Sequence, residues 1–339
     1  MKFLVIGLGS MGKRRVRNLI ALGHKDIIGF DPRIDRTDEA KEYGIEVFND
    51  FNEAFEDNNI DTFLISTPPN LHMKYAYFAA DNNISCFIEA SVVDAEKILE
   101  LSKIVKDKNI VIAPSCTMRY YPGPIKIKEL IAKGIIGKVL NYNYHTGQYL
   151  PDWHPWESIE DFYVSSPDTG AAREIVPFEL TWLNDIFGEA IPLACVTRKL
   201  TDIPANIDDI YHCILEYPNN VIGNLTVEVI SRPKAVREFR VIGSKGEIVF
   251  SADSNSVRFI NMEMEDWEII SFDEGTIQSG YINPEEPYIN EVKDFVTAVE
   301  LVLNNEKSNY PNTLEDDYKI LHNLYDLEDM SGGKNDLSR

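Results

Sequence analysis

The 339-residue sequence predicts an α/β protein: an N-terminal doubly wound parallel sheet, followed by an α+β half with a large open, mostly antiparallel sheet. Three observations carry this reading. The first third of the chain alternates short, nearly continuous apolar runs with stretches of helical periodicity, the pattern of strands buried on both faces and joined by crossover helices. A glycine-rich turn follows directly on the first of these runs. After Tyr120-Tyr121-Pro122-Gly123-Pro124 the strands instead alternate apolar and polar residues, as strands with one covered face do.

In order, strands are expected over 2–6, 27–30, 62–66, 85–88 and 110–113, with helices over 11–22, 70–82 and 95–106 between them. Right-handed βαβ connections join such elements into one parallel sheet. A helix over 125–132 opens the second half, and strands follow over 139–144, 194–198, 209–216, 221–230, 238–242 and 247–251. A helix over 179–187 lies between the first two of these strands, and helices over 288–303 and 313–325 close the chain. The expected domains are 1–121, binding a dinucleotide, and 122–330, binding substrate and oligomerising, before a polar tail over 331–339. Alternating strands such as 221–230 and 238–242 should expose apolar residues on the free sheet face, which a homodimer or homotetramer would bury.

Composition narrows the function. With 33 Lys+Arg against 55 Asp+Glu the net charge is −22, so nucleic acid would be repelled. No apolar run approaches the roughly 20 residues of a membrane span, and the N-terminus lacks a long apolar signal segment, so a cytoplasmic protein is expected. Cys86, Cys116, Cys195 and Cys213 show no paired spacing and read as buried reduced thiols. No His, Asp or Glu cluster has ligand spacing, and no metal is expected.

The sharpest motif is Gly7-Leu8-Gly9-Ser10-Met11-Gly12, a G-x-G-x-x-G between a strand and a helix. Gly7 permits the tight turn, Gly9 lets a pyrophosphate approach the backbone, and Gly12 lets helix and strand pack closely. Ser10 and Met11 open the helix whose N-terminus would hold the phosphates. Asp31 ends the next strand, where a carboxylate accepts the ribose hydroxyls of an adenosine and repels a 2′-phosphate. The expected cofactor is NAD, with NADP possible through Arg33, which stands two residues on and is alternatively a solvated charge.

Further segments make the chain resemble the Gfo/Idh/MocA oxidoreductases, the glucose-fructose oxidoreductase and inositol dehydrogenase group. They are Ser66-Thr67-Pro68-Pro69-Asn70-Leu71-His72 after the third expected strand, Phe87-Ile88-Glu89 after the fourth, and Met118-Arg119-Tyr120 at the domain junction. The resemblance implies that Thr67, Pro68, Asn70, His72 and Glu89 line the cofactor cleft. It also implies hydride transfer between a nicotinamide and a sugar, sugar acid or nucleotide-sugar, and an open sheet that pairs with another subunit.

Two departures bear on the chemistry. The family's Glu-Lys-Pro is here Glu89-Ala90-Ser91, and its Asp and His on a second-domain helix are matched by Glu174 and Phe178. Oxidising an alcohol also removes its hydroxyl proton, so another titratable group must take it. His154, in Trp153-His154-Pro155-Trp156, is the expected proton carrier, with Glu174 and Arg119 beside it as catalytic candidates. Trp153 and Trp156 would stack on a sugar face, or alternatively plug a seam. Arg173 would grip an anionic substrate, or alternatively form a structural salt bridge. Two other functions stay open: a lyase or glycosidase-type reaction that regenerates its NAD, and a non-catalytic NAD-binding sensor or assembly protein.

Overall fold

The computed structural model describes residues 1–56, 58–153, 158–161 and 163–332. The chain divides into two compact units, one of Met1–Thr117 with Gly275–Lys319, the other of Met118–Glu274 with the chain from Ile320 onward.

Among the described residues, the first unit is a parallel sheet of β1 (Phe3–Ile6), β2 (Ile27–Phe30), β3 (Glu46–Phe48), β4 (Thr62–Ile65), β5 (Ser85–Ile88) and β6 (Ile112–Pro114). Their order is β3-β2-β1-β4-β5-β6, the doubly wound arrangement that the sequence predicts. Every residue of β1, β2, β4 and β5 is buried, which is why each reads as an unbroken apolar run. The connecting helices are α1 (Ser10–Ala21), α2 (Ile34–Lys41), α3 (Phe51–Glu56), α4 (His72–Asp81) and α5 (Ala95–Val105).

Strand β3 and helices α2 and α3 lie outside the elements expected from the sequence. The edge strand β3 is three residues, one exposed and two half-buried, and α2 buries only Thr37 and Ala40, so neither has an apolar pattern to detect. The division of the chain also differs from the contiguous one expected. Helix α8 (Glu286–Leu303) places Val292, Phe295, Val296, Val299 and Val302, a stripe at helical spacing, in one core with Phe3, Val16, Leu19 and Phe87. Ahead of it, Glu285 ties to α1 through Arg14 Nε and Arg17 Nη2, each at 3.0 Å, and the Tyr281 hydroxyl donates to the Ser10 carbonyl at 2.7 Å. Periodicity shows that a helix has an apolar face, and the shape of a core decides which one it joins.

The second unit begins with α6 (Pro122–Ala132) and carries eight described strands. They are β7 (Val139–Gly147), β8 (Ile191–Arg198), β9 (Ile210–Tyr217), β10 (Val221–Glu228), β11 (Val236–Gly243), β12 (Gly246–Ser251), β13 (Ser256–Asn261) and β14 (Glu268–Ser271). In the order β14-β13-β12-β11-β7-β10-β9-β8 the pair β7–β10 is parallel and the others are antiparallel. Strands β13 and β14 lie beyond those expected. Helix α7 (Ala171–Phe187) starts eight residues before the expected 179 and accommodates Pro177 inside it. It covers one sheet face through Trp182 and Phe187, which pack on Tyr142, Tyr144 and Phe239. Helix α9 (Leu314–Met330) begins in the first unit and ends in the second.

The other face of this sheet exposes apolar residues among polar ones. The apolar members of the alternation, such as Leu225, Val227, Phe239 and Val241, are buried. The opposite face presents Asn143, His145, His212, Asn224, Glu238 and Arg240 together with the exposed Val196, Ile222, Ile242 and Ile269. Alternation fixes which residues share a face, and on this one apolar and polar residues are interspersed. No helix among the described residues is long and apolar enough to cross a membrane.

Candidate functional site

The glycine-rich turn is built from three different constraints. Gly7 has φ +88°, and a Cβ there would stand 2.6 Å from the Ser66 carbonyl oxygen; a Cβ on Gly12 would stand 1.7 Å from the Gly7 carbonyl. These two glycines are required by the fold itself. A Cβ on Gly9 would instead meet only the Arg36 guanidinium, at 3.5 Å, so its small size is not demanded by packing. Gly9 caps α1 without a side-chain bond, and no acidic residue lies in the first turn, Ser10 and Met11 included. The first-turn N–H groups and the positive end of the helix are therefore presented to an anion. The Thr67 hydroxyl, buried and without a hydrogen-bond partner among the described residues, lies next to Ser66, against which Gly7 is packed. These features fit the pyrophosphate of a dinucleotide.

Asp31, 2% exposed, accepts the Leu8 N–H on Oδ2 at 2.8 Å and the Arg33 N–H on Oδ1 at 2.9 Å. It thus locks the glycine-rich turn to the end of β2. Arg33, expected to meet a 2′-phosphate, pairs with Asp35 through Nη2 at 2.6 Å and Nε at 3.1 Å on the surface. Arg36, on the helix that sequence analysis does not foresee, is the cation beside the turn, with Nη1 3.7 Å from Asp31 Oδ2.

Beyond β4, Pro68 precedes a short turn of Pro69–Leu71 and Asn70 is exposed. His72 is buried; its Nε2 lies 2.9 Å from the Thr67 carbonyl, and Nδ1 has no partner among the described residues. Burial pushes its pKa down, against a smaller opposing effect of that carbonyl, so the ring is neutral and braces the loop. Glu89, expected at the cofactor, instead gives both oxygens to Arg15, at 2.6 and 2.8 Å, and accepts the Ser66 hydroxyl at 3.1 Å. Arg15 also reaches Glu291 at 3.1 Å. A guanidinium with no exposed surface needs these carboxylates, which explains why Glu89 is held inward. Two residues on, the buried Ser91 hydroxyl lies beside the buried Asp317 carboxyl. Burial raises the Asp317 carboxyl to about 7, against a smaller pull from Ser91.

In the second unit Glu174, in the first turn of α7, accepts the Tyr163 hydroxyl on both oxygens at 3.0 Å. Arg119 donates from Nε to the Thr181 carbonyl at 3.0 Å. Arg173, expected to hold a substrate anion, pairs with Glu328 at 2.6 Å, and Glu328 also accepts the Tyr211 hydroxyl at 3.0 Å. Trp153 is half-buried, with its ring nitrogen lacking a partner among the described residues. His154 and Trp156 lie outside the described residues. In the same helix as Glu174, Glu179 is buried; its Oε2 accepts the Tyr144 hydroxyl at 2.7 Å and Trp182 Nε1 at 2.8 Å, and its Oε1 forms an ion pair with Arg237 Nη2 at 2.9 Å. Arg36, Asp317 and Glu179 are the residues that sequence reasoning does not single out. For Arg36, a helix placed after Asp31 would have supplied the signal.

Two family models match the chain: the oxidoreductase family with its NAD-binding Rossmann fold over residues 1–114, and the GFO/IDH/MocA C-terminal domain over residues 125–249. Among curated proteins, D-xylose 1-dehydrogenase (NADP(+)) of Hypocrea jecorina is 29% identical over 244 residues, 65% of this chain and 59% of that protein. The scyllo-inositol 2-dehydrogenase (NAD(+)) of Bacillus subtilis is 31% identical over 147 residues, 42% of this chain and 43% of that protein. The chain therefore spans between about two fifths and three fifths of the length of these relatives. In fold it is similar to a levoglucosan dehydrogenase solved with NADH and levoglucosan, with a TM-score of 0.81 at 18% identity, covering 98% of this chain and 97% of that one. An inositol dehydrogenase homologue of Azotobacter vinelandii solved with NAD+ gives 0.82 at 14% identity, covering 98% and 95%. With both its NAD-binding half and its C-terminal half matched, the chain belongs to the GFO/IDH/MocA family of oxidoreductases.

Proposed function

We propose that the protein is an NAD(P)-dependent oxidoreductase that moves a hydride between the nicotinamide and a CH–OH carbon of a sugar-like substrate. The observation that carries this reading is the uncapped start of α1, framed by Gly7, Gly9 and the buried Asp31 clamp, in a chain of this family. The bound nicotinamide supplies the hydride acceptor or donor. This chain's residues hold the phosphates at the α1 N-terminus, orient the adenosine ribose near Asp31, and take the hydroxyl proton. With Ala90 and Phe178 where the family has Lys and His, that proton passes to Glu174 and the Tyr163 hydroxyl it holds, or to His154. Arg119 acts as a positioning group through Thr181 on α7.

The test is absorbance at 340 nm with NAD+ or NADP+ and a panel of xylose, scyllo- and myo-inositol, levoglucosan, sugar acids and nucleotide-sugars. Turnover of one class supports the reading, and Glu174→Gln and His154→Ala then separate the proton carriers by kcat at unchanged NAD affinity. The replacement of both family acid/base residues favours one second reading, an NAD-binding protein without turnover, which dinucleotide binding with no absorbance change on any substrate would support. We also propose that copies associate as a homodimer or homotetramer, which light scattering at micromolar concentration tests.

A further inference from the structure

We infer that Cys195 and Cys213 are a site of reversible oxidation, a dithiol that hydrogen peroxide closes to a disulfide and so staples the edge strand β8 to its neighbour β9. Neither residue belongs to the glycine-rich turn or to the proton carriers proposed above. They are 18 positions apart, a separation with no meaning in the sequence, and the strand register brings them together. Cys195 stands directly opposite Cys213, and in the reduced protein their sulfurs lie 3.7 Å apart. Opposed residues of antiparallel strands hold their Cα atoms about 4.5–5.5 Å apart, inside the roughly 4.4–6.8 Å that a disulfide spans. Side-chain torsion can therefore bring the sulfurs to bonding distance, about 2.0 Å, with the backbone left in place.

The two thiols are placed for different parts of the reaction. Cys213 is fully buried between Tyr211 and Leu215 on the covered face of β9, and its contact with Cys195, together with burial, holds its thiol well above the ordinary range. Cys195 keeps 7% of its surface in the outermost strand of the sheet, between the exposed Ala194 and Val196, so peroxide reaches it first. The Cys195 sulfur attacks the peroxide: an S–O bond forms, the O–O bond breaks, and the departing hydroxide takes the thiol proton to leave as water. The Cys213 sulfur then attacks the resulting sulfenic acid. The S–S bond forms, the S–O bond breaks, and the second hydroxide leaves as water with the Cys213 proton. The pair gives up two electrons and the peroxide is reduced to two waters. The other cysteines lie in the first unit, Cys86 fully buried in β5 and Cys116 with its sulfur 3.8 Å from the Tyr310 hydroxyl. The loop that the disulfide closes is already fastened inside, where Asp209 accepts the Leu200 and Thr201 N–H groups at 2.8 and 2.9 Å. The bond thus restrains the unfolded chain while adding little strain to the native one.

The experiment treats the folded chain with hydrogen peroxide, blocks the remaining thiols with N-ethylmaleimide in denaturant, and maps unreduced tryptic peptides by mass spectrometry. Cleavage after Arg198 and Lys199 puts the two cysteines on separate peptides, 174–198 and 200–234. The wild type should lose two of its four thiols, yield these two peptides joined and lighter by two hydrogens, and recover all four thiols in dithiothreitol. The oxidised protein should melt about 3–10 °C above the reduced one. Cys195→Ala and Cys213→Ala should each keep their three thiols through the same treatment and show no such rise. The wild-type peptide map stands without the variants, so one that misfolds does not blunt the test. The inference is overturned if all four thiols persist while free dithiothreitol in a parallel sample is oxidised. Sulfinic acid at Cys195 without the joined peptides, or a bond that instead involves Cys86, Cys116 or a second copy of the chain, overturns it as well. Joined peptides with an unchanged or lower Tm overturn the stapling of β8.

Discussion

Replacing Asp317 by Asn should make the protein more stable, by an amount that grows with pH. Asp317 is 4% exposed, next to Asp316 in the first turn of α9 and beside the buried Ser91 hydroxyl. Burial raises its carboxyl from the ordinary 3.8 to about 7. A carboxyl raised in the folded state is destabilised whenever it is ionised. The folded state then binds the proton more tightly than the unfolded chain, so stability is highest below about pH 4 and falls as pH rises towards 7. A shift of about three pH units corresponds to a ceiling of about 4 kcal/mol above pH 7. Local rearrangement around the ionised group reduces this, and we expect a gain of about 1–3 kcal/mol for Asp317→Asn at pH 8. Urea unfolding at pH 5, 6, 7 and 8 measures the difference. A gain that does not increase between pH 5 and pH 8, or a variant less stable than the wild type at pH 8, would refute the argument that burial holds this group against ionisation.

Other outcomes follow from the same geometry. Gly9→Ala should fold normally, since its methyl meets only a flexible guanidinium at 3.5 Å, yet weaken NAD+ binding at least tenfold, about 1.4 kcal/mol, by calorimetry. Gly12→Ala should fail to fold or be strongly destabilised in thermal unfolding, because its Cβ would lie 1.7 Å from the Gly7 carbonyl. Glu89→Ala strands the fully buried Arg15 with Glu291 alone and should cost about 3–5 kcal/mol in urea unfolding; an effect below about 1 kcal/mol would contradict the anchoring role. Glu179→Ala should cost about 3 kcal/mol or more, since it leaves Arg237 Nη2, Trp182 Nε1 and Tyr144 Oη without their shared acceptor.

The sequence alone determined the doubly wound half and the glycine-rich turn. Strands buried on both faces leave unbroken apolar runs, and Gly7 and Gly12 occupy positions that any side chain would overfill. It also exposed the departures at Ala90 and Phe178, because a missing functional group is visible in the letters themselves. Local pattern could not decide where a polar side chain is used. Glu89 reads as a cleft carboxylate, but a buried guanidinium 74 positions earlier takes both its oxygens. Arg173 reads as an anion ligand, but Glu328, 155 positions away, engages it. Arg36 and Arg33 are indistinguishable as letters, and only a helix without an apolar stripe turns one towards Gly9 and leaves the other on Asp35. The assignment of α8 to the first core has the same origin. Periodicity is set by neighbours within a turn or a strand, whereas ion pairing, burial of charge and the choice of packing partner are settled between residues brought together only when the chain has folded.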